Sequence, residues 1–121
     1  MDAGPPTQPT LTAPRCRLHF CLGCRYSKGQ SFGRHIDEST ELGGGRYTAY
    51  TLLIYLTSCQ GGETVFYGSR NRVIERVAPA PGLALLHQHG EFDCLDHEGA
   101  AVLGGTKVVL RSDVVYARQQ A

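Results

Sequence analysis

The sequence has no tryptophan, a single methionine and no excess of either charge: twelve Lys and Arg stand against eleven Asp and Glu in 121 residues, a formal net charge of +1. That balance argues against duplex binding, which needs a concentrated basic surface. No apolar run reaches the roughly 18 residues of a membrane span. The first residues, MDAGPPTQPTLTAPR, show no basic stretch followed by an apolar one, so no secretory signal is expected. No apolar stripe at helical spacing runs far enough to specify a helix. What remains is 41% hydrophobic residues, 19% charged residues and fifteen glycines. This is the composition of a single turn-rich β domain with a core.

Residues 1–14 hold four of the six prolines and read as a flexible leader, with the domain expected over 15–118. Short apolar runs then alternate with glycine-bearing turns. Strands are expected at Leu18–Phe20, Arg25–Ser27, Tyr47–Thr57, Glu63–Tyr67, Arg72–Val77, Leu83–His87, Phe92–His97 and Lys107–Tyr116. YTAYTLLIYL (47–56) is apolar or aromatic almost throughout, as for a strand covered on both faces. KVVLRSDVVY (107–116) alternates, with Lys107, Arg111 and Asp113 on one face, which predicts contact with water or with a polar cavity. Glu38–Arg46 and Gly68–Arg72 are the candidate substrate-facing loops.

Five cysteines cannot all pair within one chain, and without a secretory pattern they are expected as reduced thiols in an intracellular setting. Cys16, Cys21 and Cys24 have the close spacing of zinc ligands, yet three thiolates leave a tetrahedral site incomplete. His35-Ile36-Asp37 is a different signal. In an extended segment both side chains project to one side, where an imidazole and a carboxylate can share one metal. A second histidine would complete a two-His, one-carboxylate facial triad. His19, His87, His89 and His97 are the available choices. His97, in DHEG just before the alternating strand, stands out. His87 and His89, two apart in HQHG, form a competing pair.

RYSKGQSFGRHIDES (25–39), YTLLIYLTSCQGGETVFY (50–67) and DHEGAAVLGGTKVVLRSDVVY (96–116) together resemble the iron(II)- and 2-oxoglutarate-dependent dioxygenases, most closely their prolyl 4-hydroxylase-like branch. The family pattern of H-x-D, a long gap, a histidine and a basic residue ten positions later falls on His35, Asp37, His97 and Lys107. The resemblance implies a double-stranded β-helix, or jelly roll, which agrees with the strand count. It implies that His35, Asp37 and His97 bind Fe(II). It further implies that Lys107 pairs with the distal carboxylate of 2-oxoglutarate, aided by a hydrogen bond from Tyr26. Arg111 is expected to support the cavity or meet substrate. The implied reaction is O2-dependent hydroxylation of an unactivated C–H bond, of a peptidyl proline, with L-ascorbate as auxiliary reductant. The family's N-terminal flank has only the Pro-rich leader as its counterpart here. A minimal variant or part of a longer product is therefore expected, the alternative function being a non-catalytic metal-binding or interaction module. The chain as it stands suggests a cytoplasmic location, and the endoplasmic reticulum if it belongs to a longer product.

Overall fold

A computed structural model describes residues 16–90 and 93–118, apart from the side chains of 19–21. The expected leader, residues 1–14, lies outside the described residues. Eleven antiparallel strands and one short 3-10 turn make up the regular structure, with no α-helix among the described residues. The large sheet has the order β1 (Cys16–Tyr26), β11 (Lys107–Ala117), β4 (Arg46–Tyr55), and both β3 (Glu41–Gly43) and β8 (Ala84–Gln88) pair along the free edge of β4. A second sheet has the order β2 (Phe32–His35), β9 (Asp96–Gly99), β6 (Thr64–Tyr67), β7 (Val73–Val77). A two-stranded ribbon joins β5 (Gln60–Gly61) to β10 (Val102–Gly104). This is the jelly-roll architecture that the family resemblance implies, built from the short strands that the sequence pattern predicts.

The core lies between the sheets and is built on Tyr55, Val65, Phe66, Val102, Val109 and Val115, all buried. On β4 the buried positions are Thr48, Ala49, Thr51 and Tyr55, while Leu52 and Ile54 are only half-buried and Leu86 beside them on β8 is exposed. The expected burial of both faces of this strand is thus met on one face only. Continuous apolarity did not reveal which face was sealed, because it carries no alternation.

Several boundaries move. The two runs expected at 18–20 and 25–27 are one strand, β1, whose irregularity between Leu18 and Cys21 is carried by its pairing with β11. Gly23 sits inside it opposite Leu110. The strand expected at Phe92–His97 begins only at Asp96, since 93–95 form a turn and residue 92 lies outside the described residues. Glu38–Arg46 is not an open loop: Glu41 and Gly43 pair with Tyr47 and Arg46 across a hairpin whose Gly43, Gly44 and Gly45 all have positive φ. Three consecutive left-handed residues are readily accommodated only by glycine. Neither this hairpin nor Gly68–Arg72 lines the principal cavity.

Candidate metal centre and its cavity

Three cross-strand pairs build the site, because directly opposed residues on neighbouring strands present their side chains to the same face. His35 on β2 opposes His97 on β9. Thr51 on β4 opposes His87 on β8, and Tyr26 on β1 opposes Lys107 on β11. The first pair belongs to one sheet and the other two to the sheet facing it. Asp37, two residues beyond the end of β2, enters the space between them. All seven side chains line one cavity of about 190 Å3, together with Val109 and Arg111.

His35 Nε2 lies 3.2 Å and His97 Nε2 3.8 Å from Asp37 Oδ1. The far sides of the rings are tied down: His35 Nδ1 is 2.6 Å from the Gly33 carbonyl, and His97 Nδ1 is 2.9 Å from the Leu95 carbonyl. A carbonyl can only accept, so each Nδ1 carries the proton and each Nε2 turns a lone pair toward the carboxylate. Burial lowers the pKa of His97, against the raising effects of Leu95 and Asp37, which keeps its ring neutral. Two lone pairs and an anionic oxygen crowded together repel unless a cation stands among them. Ligating histidines characteristically donate their second nitrogen to a carbonyl in this way.

The second oxygen of Asp37 is held from behind. Thr51 donates its hydroxyl to Oδ2 at 2.7 Å, so the Thr51 oxygen accepts from His89 Nε2 at 2.6 Å. His89 Nδ1 then accepts from the Thr48 hydroxyl at 3.0 Å, and the Thr48 oxygen accepts from the Thr40 amide at 2.8 Å. Every donor and acceptor in this chain agrees with a neutral His89, whose pKa burial lowers. His87 Nε2 and the Arg111 guanidinium approach the same Oδ2 at 3.5 and 3.7 Å. Burial pushes the Asp37 carboxyl up. The Thr51 hydrogen bond, with His87, Arg111 and His97, outweighs burial and holds it below its ordinary value. Asp37 is therefore an ionised, buried anion whose Oδ1 faces the two imidazoles.

Lys107 is 6% exposed, and among the described residues no carboxylate pairs with it. Its ammonium lies 5.1 Å from the centre of the Tyr26 ring and would touch a Cβ placed on Gly99 at 3.5 Å. Burial lowers its pKa, opposed by the weaker influence of Cys59 and Glu63. Beyond it the cavity continues past Thr64 and Tyr55, which are hydrogen-bonded to each other. A buried cation without an anion is costly unless a ligand supplies one. The alternating face of β11 thus looks into a polar cavity, the second of the two outcomes its pattern allowed. Arg111 also lies 3.8 Å from Asp113.

The sequence profile of the 2OG-Fe(II) oxygenase superfamily matches residues 21–112. The chain belongs to this superfamily. Members use Fe(II), 2-oxoglutarate and O2, and the lone pairs converging on Asp37 Oδ1 and the unpaired Lys107 ammonium fit the metal and a dicarboxylate respectively. The fold is similar to that of the collagen prolyl hydroxylase of Paramecium bursaria Chlorella virus-1 solved with 2OG, at a TM-score of 0.66 and 20% identity, covering 86% of this chain and 62% of that one. It is similar to a 2OG-Fe(II) oxygenase family oxidoreductase from Burkholderia pseudomallei at a TM-score of 0.64 and 19% identity, covering 85% and 46%. A Pseudomonas putida prolyl-4-hydroxylase gives a TM-score of 0.60 and 19% identity over 82% and 52%. The chain therefore spans less than two thirds of each of these structures. No curated protein matches the sequence.

His35, Asp37 and His97 lie together in one cavity with Lys107, Tyr26 and Arg111. His89, whose place before Gly90 also allowed a plain turn residue, is buried and hydrogen-bonded behind the carboxylate. The competing His87–His89 pair is not brought together on one site: His87 faces the cavity, while His89 is engaged by Thr51 and Thr48. Cys16 and Cys24 take part in no metal-like cluster among the described residues, and the side chains of Cys21 and His19 lie outside them. Sequence reasoning missed Thr48 and Thr51. Their only signal was two hydroxyls embedded in an otherwise apolar strand, which buried positions seldom hold without a partner.

Proposed function

We propose that residues 15–118 form an oxygenase unit that hydroxylates an unactivated C–H bond of a proline-containing peptide, with L-ascorbate as auxiliary reductant. The observation that carries this reading is the placement of a His35–Asp37–His97 donor set and a partnerless buried Lys107 in one cavity. His35 Nε2, Asp37 Oδ1 and His97 Nε2 would hold Fe(II) on one face and leave the opposite face to ligands. Bound iron supplies the oxidation of C–H by O2, coupled to conversion of 2-oxoglutarate to succinate and CO2. The chain's own contribution is placement. Lys107 neutralises the distal carboxylate of the co-substrate, and Tyr26, stacked beside that ammonium, borders the same pocket and can donate its hydroxyl. Thr51 and the His89 relay keep Asp37 Oδ1 turned toward the metal. Val109 and Tyr55 exclude water from the interior, which strengthens each of these charge contacts. The peptide substrate is supported by the likeness to structures described as prolyl hydroxylases, and by nothing narrower.

Anaerobic addition of Fe(II) and 2-oxoglutarate should produce a weak visible charge-transfer band, and admission of air with a proline-containing peptide should release succinate. Absence of the band in folded protein counts against the reading. A second reading is a metal-binding module without turnover. A band without succinate selects it.

A further inference from the structure

His87 and Cys94 are not among the iron donors assigned above, yet both sit against His97. Donor atoms of His87, Cys94 and His97 all lie within 4.8 Å of one another, and all three residues are buried or nearly so. The His87 side chain is only 10% exposed. Its Nε2 lies 3.5 Å from Asp37 Oδ2, and its buried Nδ1 has no hydrogen-bond partner. A buried imidazole with a carboxylate beside one nitrogen and nothing bonded to the other is placed as a metal ligand with an outer support near it. The Cys94 sulfur is a free thiol, 8% exposed, that accepts the Asp37 amide at 3.2 Å and makes only a long contact to the Leu95 carbonyl at 3.5 Å. Its neighbour on His97 is Nδ1, 4.0 Å away, on the opposite side of the ring from the nitrogen that faces Asp37 Oδ1.

We propose that His87, Cys94 and His97 form a second metal site, selective for a thiophilic divalent ion such as zinc. Two imidazoles and a thiolate suit zinc, whereas the two imidazoles and carboxylate beside them suit iron. Tetrahedral bonds of about 2.0 Å to nitrogen and 2.3 Å to sulfur put such donors roughly 3.3–3.5 Å apart. From separations within 4.8 Å, a closure of up to about 1.5 Å across this cluster achieves that. Coordination converts the thiol to a thiolate and releases one proton to solvent, with no change of oxidation state. The fourth position is left to water. His97 must release the Leu95 carbonyl to offer Nδ1, so the two sites draw on one ring. The proposal shares His97 with the oxygenase reading, and the donors particular to it are His87 and Cys94.

The test uses Co(II) as a spectroscopic probe on the full metal-free chain, followed by Zn(II) competition. The expected result is a near-ultraviolet thiolate-to-cobalt charge-transfer band, bleached by about one equivalent of zinc. It should persist when Cys16, Cys21, Cys24 and Cys59 are all replaced by Ser, and disappear in Cys94→Ser. Zinc affinity should fall about a hundredfold or more in Cys94→Ser, because loss of a direct ligand should exceed the ten- to hundredfold typical of outer-sphere changes. His87→Phe, which keeps the bulk of the side chain, should weaken zinc binding to a similar degree and provides the test if Cys94→Ser fails to fold. Asp37→Ala should lose the iron–2-oxoglutarate band and keep the thiolate band, which separates this site from the oxygenase reading. Absence of the thiolate band in folded four-serine protein, or its persistence in Cys94→Ser, overturns the proposal.

Discussion

At one end of the cavity Asp37 meets a full set of partners from its own chain; at the other Lys107 meets none of opposite charge. The carboxylate has Thr51, His87 and Arg111 at one oxygen and two imidazoles at the other. The ammonium has only the face of Tyr26. Both groups are buried to a similar extent. The carboxylate end is arranged before any ligand arrives, so binding a metal there requires little reorganisation. The lysine end holds an unbalanced charge that a dicarboxylate would neutralise, so its contribution appears on co-substrate binding. A preorganised anion and a waiting cation are complementary ways of building affinity into one cleft.

Four predictions probe that contrast. The largest effect should follow from Asp37→Ala, which removes the only carboxylate from the triad. Iron binding measured by equilibrium dialysis and succinate release should both be lost, at any concentration of 2-oxoglutarate. Retention of parental iron affinity would remove Asp37 from the metal site. Lys107→Ala comes next. Iron should remain bound, while the co-substrate carboxylate is left desolvated and unpaired, a loss of about 3–5 kcal/mol. Titration should show the 2-oxoglutarate Kd rising roughly two to three orders of magnitude or more. Lys107→Arg should not restore it, since a wide planar fork differs in reach from a point charge. If Arg111→Ala weakens 2-oxoglutarate binding and Lys107→Ala does not, the cation is wrongly assigned.

Thr51→Val should have a smaller effect, because it frees Asp37 Oδ2 without removing a ligand. Iron affinity should fall about ten- to a hundredfold, the usual range for an outer-sphere partner, and Thr51→Ser should recover it. Equal loss in the serine variant would mean that packing, not the hydroxyl, matters.

The fourth prediction concerns acid. Burial, reinforced by the neighbouring His97 and opposed by Asp37, depresses the pKa of His87 to about 4, and burial lowers those of His89 and His97. Between these values and the ordinary 6.5 the unfolded chain binds more protons than the folded one, so stability is lost as pH falls through that window. The metal-free protein should lose on the order of 1–2 kcal/mol between pH 7 and 4.5, read from urea midpoints. Burial also lowers the pKa of Lys107, and through its titration stability likewise rises with pH as the strained ammonium loses its proton. A flat urea midpoint from pH 7 to 4.5 would contradict the burial-driven shifts at the histidine end.

The metal end was the more legible of the two in the sequence. His35 and Asp37 declare themselves by spacing alone, since two residues apart in extended chain means one side. His97 and Lys107 needed the family pattern, because the position of His97 before the alternating strand was only a weak signal and nothing local assigns a partner to a lysine on an amphipathic strand. The β11 alternation announced a polar face but left open whether that face met water or a cavity. An all-β fold was readable from turn punctuation, while the jelly roll came from the family resemblance. The β3 hairpin and the short pairings of β5 with β10 were not, because segments of two or three residues carry too little periodicity to register.

Composition and local pattern alone determined that this chain folds as a turn-rich β domain and that one imidazole–carboxylate couple could bind a metal. Local pattern works there because hydrophobic alternation and turn chemistry act over a few residues. Only the tertiary structure decided the rest. The register of β2 against β9 set His35 opposite His97, and that of β4 against β8 put Thr51 opposite His87. His89 became a buried relay rather than a turn residue, and Cys94 was brought within reach of His97. Those outcomes depend on which strands pair and in what register, a choice made by the packing of two whole sheets. A shift of one residue would turn each of these side chains to the opposite face.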